Sequence, residues 1–478
     1  MQIRSMTKAT AAVAMVVVIV LASFTTTTQT PTLAASKSTN TARPSALPLR
    51  DNVDYNDVNN FGLELMRLLA VRGNVLISPL SLWSSLVLTL YGAELMTQHE
   101  MEEILHVLYV RRDELLRFLN SVEGRRRRMR GEPDVLIMEQ KTRVFKENEF
   151  ALNTSPAKEL WDRLCSVNFT MPEEAERRID KFVQETTYNL IPSLVNANQL
   201  RGTLMAMDTA SCFKSDWRFN CGKVCRSAFY PLPYSQPINM TMMWVRQLLP
   251  VGMDAQLQAT VVRMPFYSWM SLYLILPLYT GEGAFQETLD ALDSWTLKHA
   301  LKNLGCYRIE VHVPRFKMEG DYGNDLIPCL RQLGSKFMFD AKKADFSYFA
   351  DSMYATNLNH RVFVDISEGP TAAGMASNVQ LKSSFPSEIP QTETSCACSH
   401  ITANVEINMP LKKRNRNACR RGRNSNGNSG NSSKAQWIRE NDRYCNLCLK
   451  FNRPFVFLLV DDVDDIIWQV GVFKSPLN

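Results

Sequence analysis

Five cysteines cluster late in the chain, Cys396, Cys398, Cys419, Cys445 and Cys448, with His400 among them. Thiolates and an imidazole at such spacing could hold zinc, and Cys445 and Cys448 stand two residues apart as in many such sites. In an exported protein the same residues read better as disulfides, and no metal or other cofactor is expected. Arg125-Arg126-Arg127-Arg128 and the stretch from Lys412 to Arg423 present guanidinium forks, whose geometry suits sulfate or phosphate; the bland alternative is a solvated loop. No Gly-x-Ser-x-Gly, His-Glu-x-x-His or phosphate-cradling glycine loop occurs, so neither a hydrolase nucleophile nor a zinc protease is indicated. The chain is not read as an enzyme. Ser367-Glu368-Gly369-Pro370-Thr371-Ala372-Ala373-Gly374-Met375-Ala376-Ser377 instead gives a run of small side chains that could slip into a β-sheet.

The elements that must position these residues need room. A chain of 478 residues at 45% apolar can bury a large core, and its net charge of +6 is spread unevenly. Arg4 and Lys8 precede an apolar run from Ala11 to Ala22, too short to span a bilayer, which predicts a secretory signal over 1–22. Residues 23–50, rich in Thr, Ser, Ala and Pro, read as a disordered leader. Sequons at Asn153, Asn168, Asn239 and Asn431 agree with export. Eleven cysteines make disulfides expected and leave one thiol over. No membrane span and no nucleic-acid partner are expected of the exported chain.

From Asn60 the apolar positions recur at helical spacing. Asn74 to Ser81 reads as a short apolar strand stopped by Pro79, then an apolar helix ending at Gly92, with Thr97 as the N-cap of the next. A helix over Glu114–Asn120 leads into the arginines. Strands are expected at Val135–Val144, Thr203–Phe213, Val261–Phe266, Ser271–Pro277, Tyr307–Met318 and Tyr354–Ile366, with helices at Pro172–Leu194 and Ala284–Leu304. Val456–Val460 should pair with Asp465–Phe473 across an acidic turn. The mixture predicts an α+β fold with several sheets, a single domain over 51–476. Residues 378–448 turn polar, basic and low in complexity, and read as an inserted loop.

Asn74–Ser81, Gly92-Ala93 with Thr97, Phe213-Lys214 with Trp217, Met242-Met243, Ala344–Ser347, His360, Glu368-Gly369 and Pro454-Phe455 occur in one order along the chain. In that order they resemble the motifs of the serpins. The resemblance covers residues 55–377 and 449–476. It implies a serpin-like single domain with several β-sheets surrounded by helices, a mobile reactive-centre loop, and no catalytic residue. Such a protein inhibits a serine protease as a suicide substrate. The protease cleaves a bait bond, the freed loop inserts as a new central strand, and the enzyme is distorted while still acylated. The resemblance assigns Glu368, Gly369, Pro370, Thr371, Ala372 and Ala373 to the hinge, and Ser78, Ser81, Thr209 and His360 to a latch under the opening sheet. Thr209 stands where the family usually carries Asn, and Phe182 and Leu190 stand where Trp and Lys are usual. Taken alone, Ser78 and Ser81 could merely cap a helix.

Alternate residues of an inserting hinge must enter the sheet interior. In one register Thr371 opens the insertion and Ala373 follows inward. In the other Pro370 opens it, although proline lacks the N–H that a central ladder needs. The segment between hinge and Phe455 is far longer than the family's loop, so the bait bond falls within Lys382-Ser383-Ser384-Phe385 when counted from the hinge, or at Arg443 when counted from Phe455. Two functions stay open: a secreted monomeric inhibitor of an extracellular serine protease, and a non-inhibitory serpin acting as a binding or carrier protein. The first arginine cluster follows the helix where some serpins bind heparin, which makes sulfated polysaccharide a second candidate partner. The loop cysteines are expected to pair among themselves while Cys212 stays reduced.

Overall fold

The computed structural model describes residues 52–128, 136–220, 223–233, 235–323, 325–351, 353–369, 371–374 and 448–476. The chain opens with the helix Tyr55–Leu69, whose start is fixed by Asp54 and Asp57 in a reciprocal capping box. Strand β1 (Val75–Ile77) follows, then the helix Pro79–Leu90 with proline in its first turn. Thr97 lies inside the next helix, Leu95–Ile104, rather than capping it. Its hydroxyl accepts the Asp345 N–H at 2.9 Å.

The helix Arg112–Arg128 runs through all four arginines, which therefore form its last turn and not a loop. Strands β2 (Leu136–Glu147) and β3 (Leu164–Val167) lead to the helix Pro172–Thr187. That helix stops short of Leu194 because Tyr188 turns left-handed at φ 53°. Strands β4 (Met205–Ser215), β5 (Lys223–Phe229), β6 (Ile238–Asp254), β7 (Ala259–Pro265) and β8 (Met270–Pro277) come next. The expected helix over Ala284–Leu304 is two helices, Ala284–Asp290 and Ser294–Lys302. Asp293 divides them by capping the second.

The run Tyr307–Met318 likewise splits at Arg315 into β9 (Gly305–Pro314) and β10 (Phe316–Tyr322). Strand β11 covers only His360–Ile366; Tyr354 to Asn359 is irregular. Strands β12 (Thr371–Gly374), β13 (Cys448–Lys450), β14 (Phe455–Asp461) and β15 (Ile466–Phe473) complete the chain. Cys448 thus belongs to the sheet rather than to the inserted segment. The β14–β15 hairpin turns at Asp462–Asp465, as the acidic run indicates.

Two sheets carry the architecture. One follows the order β1-β15-β14-β8-β7-β6-β9-β13, with β5 on β6; the other, six-stranded, runs β10-β11-β12-β4-β2-β3. Strands β8, β14 and β15 are buried along their whole length, as strands covered on both faces must be. Gly471 on β15 is required by contact: a Cβ there would stand 2.1 Å from the Phe457 ring. The Pro79–Leu90 helix packs behind the six-stranded sheet and the Pro172–Thr187 helix packs on β4 and β2 from the other side. The expected α+β class holds.

Candidate functional site

The six-stranded sheet holds the segment expected to be the hinge. Thr371–Gly374 lie as β12 between β11 and β4, antiparallel to both. Thr371 stands opposite Ser215, and Ala373 stands opposite Phe213 on one side and Val364 on the other. Thr371 is fully buried, so of the two registers the one opened by Thr371 is adopted. Pro370 lies outside the described residues. The hinge is therefore a strand of the sheet as far as Gly374.

Two contacts fasten the turn that feeds β12, and a third ties the end of β11 to β10. Trp217, stacked on Phe266 at 4.4 Å between ring centroids, donates its indole N–H to the Ser367 carbonyl at 2.8 Å. Glu368 pairs with Arg315 at 3.3 Å, and Asp365 with Lys317 at 2.9 Å. The second oxygen of Glu368 and the Thr371 hydroxyl are buried without a hydrogen-bond partner among the described residues. A buried hydroxyl left unpaired opposes its own burial.

Below the strand opening, Ser78, Ser81 and His360 come together. His360 is buried on β11, and its Nε2 accepts the backbone N–H of Ser78 at 3.0 Å. Accepting there places the ring proton on Nδ1. Burial drives the imidazole down to about 3, so it is neutral at any physiological pH. The Ser78 hydroxyl donates to the Trp468 carbonyl at 2.6 Å and stands 3.0 Å from Ser81 Oγ. Ser78 precedes a helix but makes no side-chain cap, so the capping alternative fails.

Thr209 does not join them. Its Oγ1 accepts from Ser85 at 2.8 Å, one helical turn farther along. The β4 residue that reaches this cluster is Ser211, 2.9 Å from Ser81 Oγ. Sequence reasoning missed it, although Ser211 shares Thr209's strand face by simple alternation.

The remaining candidates are scattered or undescribed. Lys382, Ser383, Ser384, Phe385, Arg443 and Asn431 lie outside the described residues, as do Cys396, Cys398, Cys419 and Cys445. Asn168 closes a local turn, its side-chain oxygen accepting the Thr170 N–H at 3.0 Å. Asn239 is exposed on β6. Asn153 uses its amide nitrogen to hold the Ser347 and Tyr348 carbonyls at 2.9 and 3.2 Å. Cys212 is buried and free, and burial pushes its thiol up to about 12.

One group resembles a metal centre: Glu310, His312 and Cys448 offer ligand atoms within 4.8 Å of one another. His312 Nε2 is already 2.8 Å from Glu310. Cys448 takes part in a disulfide, so it has no free thiolate to contribute.

The family described as serpin (serine protease inhibitor) matches residues 56–406. Serine protease inhibitor 88Ea of Drosophila melanogaster is 24% identical over 371 residues, which span 72% of this chain and 85% of that protein. Leukocyte elastase inhibitor of Equus caballus is 28% identical over 351 residues, or 69% of this chain and 90% of that one. The solved structure of cleaved Serpin 42Da superposes with a TM-score of 0.65, covering 89% of this chain and 98% of that one at 16% identity. At that identity the likeness speaks to the fold.

Proposed function

The chain belongs to the serpin family, and we propose that it is a secreted inhibitor of a serine-type endopeptidase, working as a suicide substrate by reactive-loop insertion. One observation carries the proposal: Thr371–Gly374 already occupy the place between β11 and β4 into which an inserting loop would grow. Thr371 is accommodated in the sheet interior, and Ala373 takes the register position flanked by Phe213 and Val364. A hinge of small residues keeps that route open.

The chain's own residues do mechanical work and no bond-making. Trp217 and Arg315 hold the turn from which the strand grows. Ser78, Ser81, Ser211 and neutral His360 form a polar cluster across the helix, β4 and β11, which must yield as these strands part. Cleavage of the bait frees the loop to add a paired strand to the sheet, a one-way release of stored free energy.

Export is supported by the predicted signal over 1–22, by the sequons at Asn153, Asn168 and Asn239, and by Cys225, Cys306 and Cys448 taking part in disulfides. The partner is then an extracellular serine protease, met by a monomer. The arginines of the Arg112–Arg128 helix make sulfated polysaccharide a second partner.

The deciding experiment incubates the purified chain with a panel of serine proteases and resolves the products on a denaturing gel. An inhibitor gives a band at the summed mass that survives boiling in detergent, with the acyl bond within Lys382–Phe385. Ala373→Arg should abolish that band while cleavage persists, because a charge cannot enter the sheet interior unpaired. Cleavage without any complex across the panel would favour the non-inhibitory reading, with the loop as an interaction surface or protease substrate.

A further inference from the structure

The outer face of the six-stranded sheet meets the Pro172–Thr187 helix through an apolar layer that includes Phe145, Ala210, Ile179, Val183, Leu194 and Val195. Into this layer β4 places an acid. Asp208 is 7% exposed, and its Oδ2 has no hydrogen-bond partner among the described residues. The helix carries a second acid, Asp180, equally buried at 8%, whose charge acts on Asp208. Asp180 is already committed, since its Oδ1 accepts the Leu194 N–H at 2.8 Å and approaches that of Val195 at 3.5 Å. Those two bonds tie the segment leaving the helix back onto it. An apolar side chain at position 208 would have completed the layer. Two carboxyl groups across the seam instead make its closure depend on a proton.

Among the described residues neither carboxyl has an ion-pair partner. Arg143 stands opposite Asp208 on β2, but its guanidinium donates to the Thr142 carbonyl at 2.9 Å and lies over the Phe182 ring. Arg361 on β11 acts on Asp180, yet it is spent on the Ser193 carbonyl at 2.7 Å and on Asp321 at 3.0 Å. The residues of β12 are Thr, Ala, Ala and Gly, and none titrates. On β4 itself Cys212 and Lys214 share the face of Asp208 by alternation, farther toward the hinge. Burial first, and the Asp180 charge second, push Asp208 up to about 7. Asp180 is itself raised by burial, against the opposing pull of its two N–H donors.

We propose that Asp208 and Asp180 form a proton-operated clamp between the Pro172–Thr187 helix and β4, closed while Asp208 is neutral and released when opening lets it ionise. Mild acid thereby holds the helix down on the strand beside which β12 must lengthen. That consequence for the loop rests on the insertion reading above; the clamp itself does not. Opening frees one proton at any pH between the ordinary Asp value of 3.8 and about 7. The opening equilibrium therefore rises about tenfold per pH unit through that window and levels off above it.

Hydrogen exchange on the intact chain tests the clamp without a protease. Protection factors for helix amides between Ile179 and Thr187 should fall about tenfold per unit from pH 5 to 7 and then stay level. In Asp208→Asn the profile should be flat at the well-protected level, since the amide cannot ionise. Asp180→Asn keeps the acceptor for Leu194 but removes the facing charge, so its plateau should begin at lower pH than in the wild type. A flat wild-type profile, or an unchanged slope in Asp208→Asn, overturns the proposal. If the slope vanishes in Asp208→Asn while no protease complex ever forms, the clamp stands and the insertion reading falls. If complexes form, their rate should slow in acid for the wild type relative to Asp208→Asn, and equal pH profiles would deny the clamp any part in insertion.

Discussion

Asp208 and His360 lie on opposite faces of one sheet and titrate in opposite senses, which predicts a pH response that only a variant reveals. Folded Asp208 keeps its proton up to about 7, whereas the unfolded chain releases it near 3.8. Across that window the native state binds more protons, so stability falls as pH rises. Folded His360 stays neutral down to about 3, whereas the unfolded chain charges it near 6.5. There the unfolded state binds more protons, so stability falls as pH falls. Each slope is about 1.4 kcal/mol per pH unit, and from about pH 4 to 6.5 they cancel. Asp208→Asn removes one arm. Relative to the wild type, its stability should then drop by about 3 kcal/mol between pH 6.5 and 4, order of magnitude, as the His360 arm acts unopposed. His360→Gln, whose amide oxygen can still accept the Ser78 N–H, should show the reverse difference. Urea unfolding at half-unit pH steps reads both, because the other carboxylates contribute a background common to wild type and variants. Difference curves that stay flat from pH 4 to 6.5 would refute the reasoning.

Four further outcomes are expected. Thr371→Val replaces a buried, unpartnered hydroxyl by a methyl of the same shape, so it should stabilise the hinge-inserted sheet by about 1–2 kcal/mol in urea midpoints; a loss of that size would mean that the hydroxyl has a partner. Ser211→Ala breaks the bond to Ser81 and should cost about 1 kcal/mol, and it should couple to Ser81→Ala in a double-mutant cycle. Thr209→Ala should not couple to Ser81→Ala, since Thr209 bonds Ser85. The Cys212 thiol, buried and pushed up to about 12, should resist a thiol reagent at pH 8 until the chain unfolds, while the half-buried Cys165 reacts first in timed mass spectra.

Much of this architecture is legible in the sequence where local pattern and tertiary burial agree. The β14–β15 hairpin announces itself by two apolar runs around an acidic turn, and Ser78, Ser81 and His360 are recognisable before any fold is known. Boundaries set by a single residue are less visible. Tyr188 ends its helix by turning left-handed, and Asp293 divides what reads as one helix into two. Strand β13 is three residues long and owes its existence to parallel pairing with β9, a long-range contact that no local pattern encodes. Nothing in the sequence singles out Asp208, because alternation puts it on the outer face without saying whether that face is covered. Only the helix laid across that face makes it buried.

Alternation along β4 accounts for the one misplaced latch residue and for the acid together. Thr209, Ser211, Phe213 and Ser215 share the inner face, and Asp208, Ala210, Cys212 and Lys214 share the outer one. A sequence fixes that parity at once, but which rung meets the Pro79–Leu90 helix depends on how far the helix sits along the strand, and there Ser211 meets Ser81 while Thr209 meets Ser85. The same parity governs the hinge: Thr371 and Ala373 align with inner-face residues, Ala372 with Lys214 and Gly374 with Cys212. On the proposed insertion, a lengthening β12 would have to satisfy two environments at once. Its inner positions would meet the hydroxyl cluster around neutral His360, and its outer positions would pass under the Pro172–Thr187 helix, where Asp208 and Asp180 lie buried. An inserting segment gains a full ladder of backbone hydrogen bonds on both sides. If this chain inserts its loop, how readily it does so would be set by the polar groups above and below, Ser211 and His360 on one face and Asp208 with Asp180 on the other.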